Sequence, residues 1–196
     1  MYATFTLPEE YRLLREIDLQ KNKKLAVLVN VGALVIALPL FLLGLWLQPP
    51  FRDGELTLAL PALLIILPGM AAYLFLHEWV HGVFIRHYCG KKAEYGFTGL
   101  YAFAGRKDAY FAKRPYIVIA LAPVVLWGAV LLILNLFVGS AWFWTIYLIQ
   151  IINLSGAAGD LYVAALLLRM PADILVNDDG VSMRFYDRKA ENSRTP

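Results

Sequence analysis

Polar and apolar residues are segregated along this chain into long blocks. Four apolar runs stand out, Leu25 to Leu47, Leu56 to about Ile85, Tyr116 to Val138 and Ala141 to Leu168. Each reaches the roughly 20 residues that a helix needs to cross a bilayer, which predicts four principal spans. The second run is too long for one ordinary crossing, about 50 Å as straight helix against a hydrocarbon core of about 30 Å. Pro61 and Pro68 are expected to break it into a short or re-entrant piece and a helix from about Gly69 to Tyr88. None of the runs has the form of a cleaved signal peptide, because the first follows a charged segment of 24 residues and lacks a small-residue cleavage site.

The polar blocks predict smaller elements. The segment "LPEEYRLLREIDLQKNKK" opens with a proline, carries acids early and bases late, and reads as an amphipathic helix at the membrane surface. "QPPFRDGE" is a turn rich in Pro and Gly. Between Gly90 and Pro115, Tyr95 and Phe97 and then Tyr101 and Phe103 alternate about a glycine-containing turn, which predicts a β-hairpin. "ILVNDDGVSMRFY" has the same form, two β-prone segments around "NDDG". The expected fold is an all-α polytopic membrane protein with a small β-hairpin and a short β-prone tail. It forms one domain over residues 1–196: an amphipathic segment 1–24, a transmembrane core 25–168 and a tail 169–196.

Composition supports the membrane reading, with 60% hydrophobic residues and a mean hydropathy of +0.59. Charge then sets the orientation. Seventeen of the eighteen Lys and Arg residues lie before the first run, between the second and third, or after the fourth, leaving only Arg52 on the other side. The positive-inside rule makes both termini and the central loop cytoplasmic in a multi-pass plasma-membrane protein. The net charge of +3 is accounted for by topology, without nucleic acid as a partner. The single cysteine, Cys89, excludes an internal disulfide and a cysteine-based metal site.

Against this background, "LHEWVHG" at residues 76–82 is out of place. An ionisable group in hydrocarbon costs several kcal/mol unless it is paired, buried or metal-bound. On a helix, residues i and i+4 project about 40° apart, so His77 and His81 point the same way, with Glu78 flanking them about 100° from His77. This is the H-E-x-x-H pattern. Neutral histidines hold Zn²⁺ without neutralising it, the metal acidifies a water, and the adjacent carboxylate takes the proton. Trp79 and Val80 fall on other faces. Only five residues separate His81 from Arg86, which places the site about 8 Å from the basic boundary and within reach of water.

A third ligand is needed. His87 has the spacing of the last histidine in H-E-x-x-H-x-x-G-x-x-H, but Phe84 occupies the glycine position that reverses the chain, and on a continuous helix His87 faces away from His81. Asp160 is the better candidate, because it is the only charged residue between Tyr116 and Leu168. Asn153, seven residues earlier, can share its face and serve either an interhelical hydrogen bond or substrate positioning, while Gly156, Ala157 and Gly159 permit close helix approach. Glu94, Asp108, Asp173, Asp178 and Asp179 lie in polar segments and read as solvated surface.

"HEWVH" near the cytoplasmic end of a span, "ALAP" early in the next and "NLSGAAGD" in the last resemble the site-2 protease type of intramembrane zinc peptidase. With the C-terminal "DDGVSMRFY", the chain is similar over about residues 60–190 to small bacterial membrane proteins of the putative zincin peptidase family. The resemblance implies His77, His81 and Asp160 as zinc ligands, Glu78 as base, and Asn153 as an aid to the substrate carbonyl. Site-2 proteases usually carry proline and Asp-Gly in the last motif, whereas this chain has Gly-Asp-Leu. The expected activity is zinc-dependent hydrolysis of peptide bonds in or beside the membrane, with a membrane protein or peptide as substrate and the bilayer as setting. Two other readings use the same residues: a zinc hydrolase of a lipid or small amide, and a catalytically silent metal-binding membrane adaptor.

Overall fold

The computed structural model describes residues 2–18, 20–52, 55–56, 60–99 and 102–189. The elements in chain order are β1 (Ala3–Thr4), β2 (Tyr11–Asp18), α1 (Lys23–Leu47), β3 (Phe51–Arg52), β4 (Glu55–Leu56), α2 (Leu60–Cys89), β5 (Glu94–Phe97), β6 (Ala102–Ala112), α3 (Lys113–Phe137), α4 (Ser140–Gly156), α5 (Ala158–Arg169), β7 (Leu175–Asp178) and β8 (Ser182–Arg188). Four helical spans, Lys23–Leu47, Leu64–Cys89, Lys113–Phe137 and Ser140–Arg169, are long and apolar enough to cross a membrane. Their outer faces carry Trp46, Leu67 and Phe137, all largely exposed, which is the pattern of a bundle that faces lipid rather than water.

The predicted break in the second run is absent. Pro61 lies in the first turn of α2, where its missing N–H is no loss, and Pro68 sits inside the helix without ending it. Transmembrane helices tolerate such prolines because neighbouring helices keep the backbone packed. The break falls in the fourth run instead. Ala157 leaves helical geometry, separates α4 from α5, and puts Asp160 in the first turn of α5.

The chain is not all-α. A six-stranded antiparallel sheet runs in the order β1-β6-β7-β8-β2, with β5 added to β6. Both predicted hairpins are present: β5 pairs β6 with Glu94 opposite Gly105, and β7 pairs β8 with Val176 opposite Phe185. Tyr101, part of the first alternation, lies outside the described residues. The amphipathic surface helix expected in residues 7–24 is absent: strand β2 takes its place, and β1 precedes it. After a turn closed by Tyr11 N–H on the Pro8 carbonyl, β2 runs along the open edge of β8, with Tyr11 opposite Arg188 and Asp18 opposite Ser182. The charges that suggested a helix dipole serve cross-strand and interelement contacts, since Glu16 pairs with Arg184 at 3.1 Å and Arg15 donates to the Tyr162 hydroxyl at 3.0 Å.

This sheet draws its strands from the N-terminal segment, the α2–α3 connection and the C-terminal segment. The three basic segments of the sequence are thereby gathered at one end of the bundle. The core joins sheet to helices there, with Phe111, Val176 and Phe185 packed against Ile85, Ile119 and Leu167. Two glycines permit close approaches, one between sheet and helix and one between the two hairpins. A Cβ at Gly82, one residue past His81, would collide with the Tyr95 hydroxyl, so the β5–β6 hairpin rests directly on α2. Gly180 takes φ +87° in the β7–β8 turn, and a Cβ there would meet the Phe103 ring. Gly180→Ala is therefore expected to cost about 1–3 kcal/mol, seen as a lower thermal midpoint in detergent; an unchanged midpoint would show that the turn does not hold this conformation.

Candidate metal centre

Helix α2 carries His77 and His81 one turn apart, each only 8% exposed, with ring centroids 4.9 Å apart. Burial on that face follows from α2 packing on α3, α4 and the sheet, while Trp79 faces outward. Each imidazole has one nitrogen occupied from behind. His81 Nδ1 lies 2.8 Å from the Ile119 carbonyl of α3, and His77 Nδ1 lies 2.8 Å from the Tyr73 hydroxyl. The other nitrogens face Asp160: His77 Nε2 is 3.3 Å from Oδ2, and His81 Nε2 is 3.6 Å from Oδ1.

The Ile119 carbonyl is available for a local reason. In a regular helix it would accept from the N–H four residues on, but that residue is Pro123, which has none. The proline of "ALAP" thus leaves a carbonyl unclaimed by the helix, and His81 takes it.

The arrangement fits a metal. Ligand atoms around a tetrahedral zinc with bonds of about 2.0–2.2 Å stand about 3.3–3.6 Å apart, and each Nε2 lies within that range of one Asp160 oxygen, His77 of Oδ2 and His81 of Oδ1. The Glu78 carboxylate completes a His77–Glu78–His81 group whose donor atoms all lie within 4.8 Å of one another. His77, His81 and Asp160 could hold the ion, with Glu78 beside it.

Asn153 is held by buried hydrogen bonds behind the centre. It is fully buried, its Nδ2 donates to the Val124 carbonyl at 3.2 Å, and its Oδ1 accepts from the Tyr73 hydroxyl at 2.7 Å. It stands behind His77, one hydrogen bond removed. His87 is exposed and packs edge-on against Tyr88, away from the centre. Glu94 pairs with Arg106 at 3.7 Å, outside the centre.

Two contributors escape sequence reasoning. Tyr73, four residues before His77 on the same helical face, could have been found from that spacing. In the sequence Asp178 has the setting of solvated surface, yet the β7–β8 turn carries it inward, where it accepts from the Tyr116 hydroxyl and, at 2.8 Å, from the Gly180 N–H. Burial raises its carboxyl above the ordinary range. Nothing local marks that residue, because its burial is produced by the sheet. A cavity of about 750 Å³ lies in front of the centre, bounded by Asn30 of α1, Glu78 of α2, Phe97 and Phe103 of the first hairpin, Asp160 of α5 and Val181 of the second.

Residues 70–175 match the family described as putative zincin peptidase. No curated protein and no solved structure matches the chain. The match takes in more than half of the sequence, includes His77, Glu78, His81 and Asp160, and implies zinc as the metal. The chain belongs to the putative zincin peptidase family.

Proposed function

We propose that this protein is a zinc metallopeptidase that cuts peptide bonds within or beside the membrane, with His77, His81 and Asp160 as metal ligands and Glu78 as the proton carrier. The observation that carries the proposal is the convergence of two Nε2 atoms on the two oxygens of one carboxylate, at 3.3 and 3.6 Å, on helices apolar enough to span a bilayer. The motif likeness to the site-2 protease type supports an intramembrane setting.

Zinc at this position supplies a Lewis acid and a water acidified toward neutral pH. Glu78, beside both histidines, takes the proton of the attacking water and returns it to the leaving amine. His77 and His81 keep Nε2 forward because each Nδ1 is engaged behind. Asn153 acts through Tyr73 on His77, as a positioning residue. A helical substrate hides its carbonyls in i to i+4 hydrogen bonds, so the scissile segment must be extended to be cut. Strand β5 pairs only with β6 among the described residues, and its Gly96 and Phe97 line the cavity. Its free edge suits an added substrate strand.

The test uses purified protein with peptide and phospholipid substrates. Peptide hydrolysis that stops on chelation and returns with zinc is the expected result. Lipid hydrolysis without peptide hydrolysis would move the assignment to a different zinc hydrolase, and no turnover on either would favour a silent adaptor.

Orientation is proposed with the sheet end in the cytoplasm, following the seventeen basic residues. Single cysteines at positions 53 and 108, introduced with Cys89 replaced, are expected to label from opposite sides of intact cells. Labelling from one side would show that the number of crossings is wrong.

A further inference from the structure

The hydrogen bonds behind His77 have a direction that can be read from one end. A backbone carbonyl only accepts, so the Asn153 amide nitrogen must face Val124 and donate to it. That orients the amide and leaves Oδ1 toward Tyr73. The Tyr73 hydroxyl has one hydrogen, and at 2.7 Å Oδ1 receives it. With that hydrogen committed, the Tyr73 oxygen can only accept from His77, whose Nδ1 lies 2.8 Å away. His77 therefore carries a hydrogen on Nδ1, and its Nε2 faces Asp160 Oδ2 at 3.3 Å, where a bound metal would take the Nε2 lone pair. Tyr73 and Asn153 are 5% and 0% exposed, so these bonds are shielded from bulk water.

His81 reaches the same tautomer in one step, through the Ile119 carbonyl that Pro123 leaves free. Ile119 and Val124 belong to the same helix. From this we infer that the backbone of α3 sets the tautomer of both histidines, directly at His81 and through the positioning residues Asn153 and Tyr73 at His77. With Nδ1 already donating, only Nε2 is left for a metal, so these contacts direct each imidazole to bind through Nε2. The inference rests on the proposal that His77 and His81 bind zinc through Nε2.

The test measures zinc affinity of the detergent-purified full chain by competition with a chelator. Tyr73→Phe keeps the ring and its packing but removes the acceptor for His77, and is expected to weaken zinc binding about 10–100-fold, the scale for loss of a partner to a ligating histidine. Asn153→Leu frees the Tyr73 hydroxyl to donate to His77 Nδ1 and drive the hydrogen to Nε2, so it is also expected to weaken binding. Because the second loss acts only through the tyrosine hydroxyl, adding Asn153→Leu to Tyr73→Phe is expected to change affinity by less than about threefold. Nitrogen NMR of histidine-labelled, zinc-loaded protein is expected to show hydrogen on Nδ1 of both His77 and His81. Wild-type affinity in Tyr73→Phe, or two losses that simply multiply, would overturn the relay while leaving the metal site standing. A wild-type chain that binds no zinc through these histidines would overturn the metal proposal itself, and the relay with it.

Discussion

Glu78→Gln is expected to retain zinc and the fold while losing at least a hundredfold in turnover. Glutamine has nearly the same volume and can still donate and accept hydrogen bonds, so α2 and the burial of His77 and His81 have no reason to change. What it lacks is a carboxylate that can take a proton. In the proposed reaction, the attacking water must lose a proton and the departing amine must gain one, and Glu78 is the carboxylate placed beside the two imidazoles for both transfers. Loss of a general base typically costs about 10²–10⁴-fold. Zinc content by elemental analysis and peptide hydrolysis on the same preparation check both halves. Wild-type turnover in the variant would sink the role of Glu78.

Asp160→Ala is expected to lower zinc occupancy and abolish activity together, whereas His87→Ala leaves both nearly unchanged. A catalytic zinc takes three protein ligands and keeps a position for water. Two come from α2. The break at Ala157 starts a new helix and swings Asp160 to within 3.3 and 3.6 Å of the two Nε2 atoms. A carboxylate among apolar helices is tolerated when an ion's charge replaces its lost hydration. Alanine leaves two imidazoles and no anionic ligand. His87, exposed and packed on Tyr88, has no path to the centre on a helix that continues straight past it. Zinc retained at full stoichiometry by Asp160→Ala would show that the third ligand lies elsewhere.

Much of the centre was legible because its signals are local. The i, i+4 spacing of His77 and His81 depends only on helix geometry, and the apolar runs depend only on the bilayer's thickness. Asp160 stood out as a lone charge in hydrocarbon. The two hairpins announced themselves through alternation about glycine turns. Pro68 misled, because the rule that proline ends a helix is drawn from water, where a broken backbone bond has somewhere to go.

The sequence by itself therefore determined the number of candidate spans, the histidine pair on one helical face and the candidate carboxylate, since each follows from residues within a few positions of one another or from the solvent they must occupy. Only the tertiary structure decided that residues 11–18 are a strand. Their partner β8 lies about 170 residues away, and an edge strand takes its hydrogen bonds from that partner rather than from its own periodicity. The same holds for Asn153, whose place behind His77 depends on α4 meeting α2 and α3, and for Asp178, drawn inward by a turn packed on Phe103. Contacts between elements distant in sequence are set by how whole helices and strands pack, and no window of neighbouring residues contains that information.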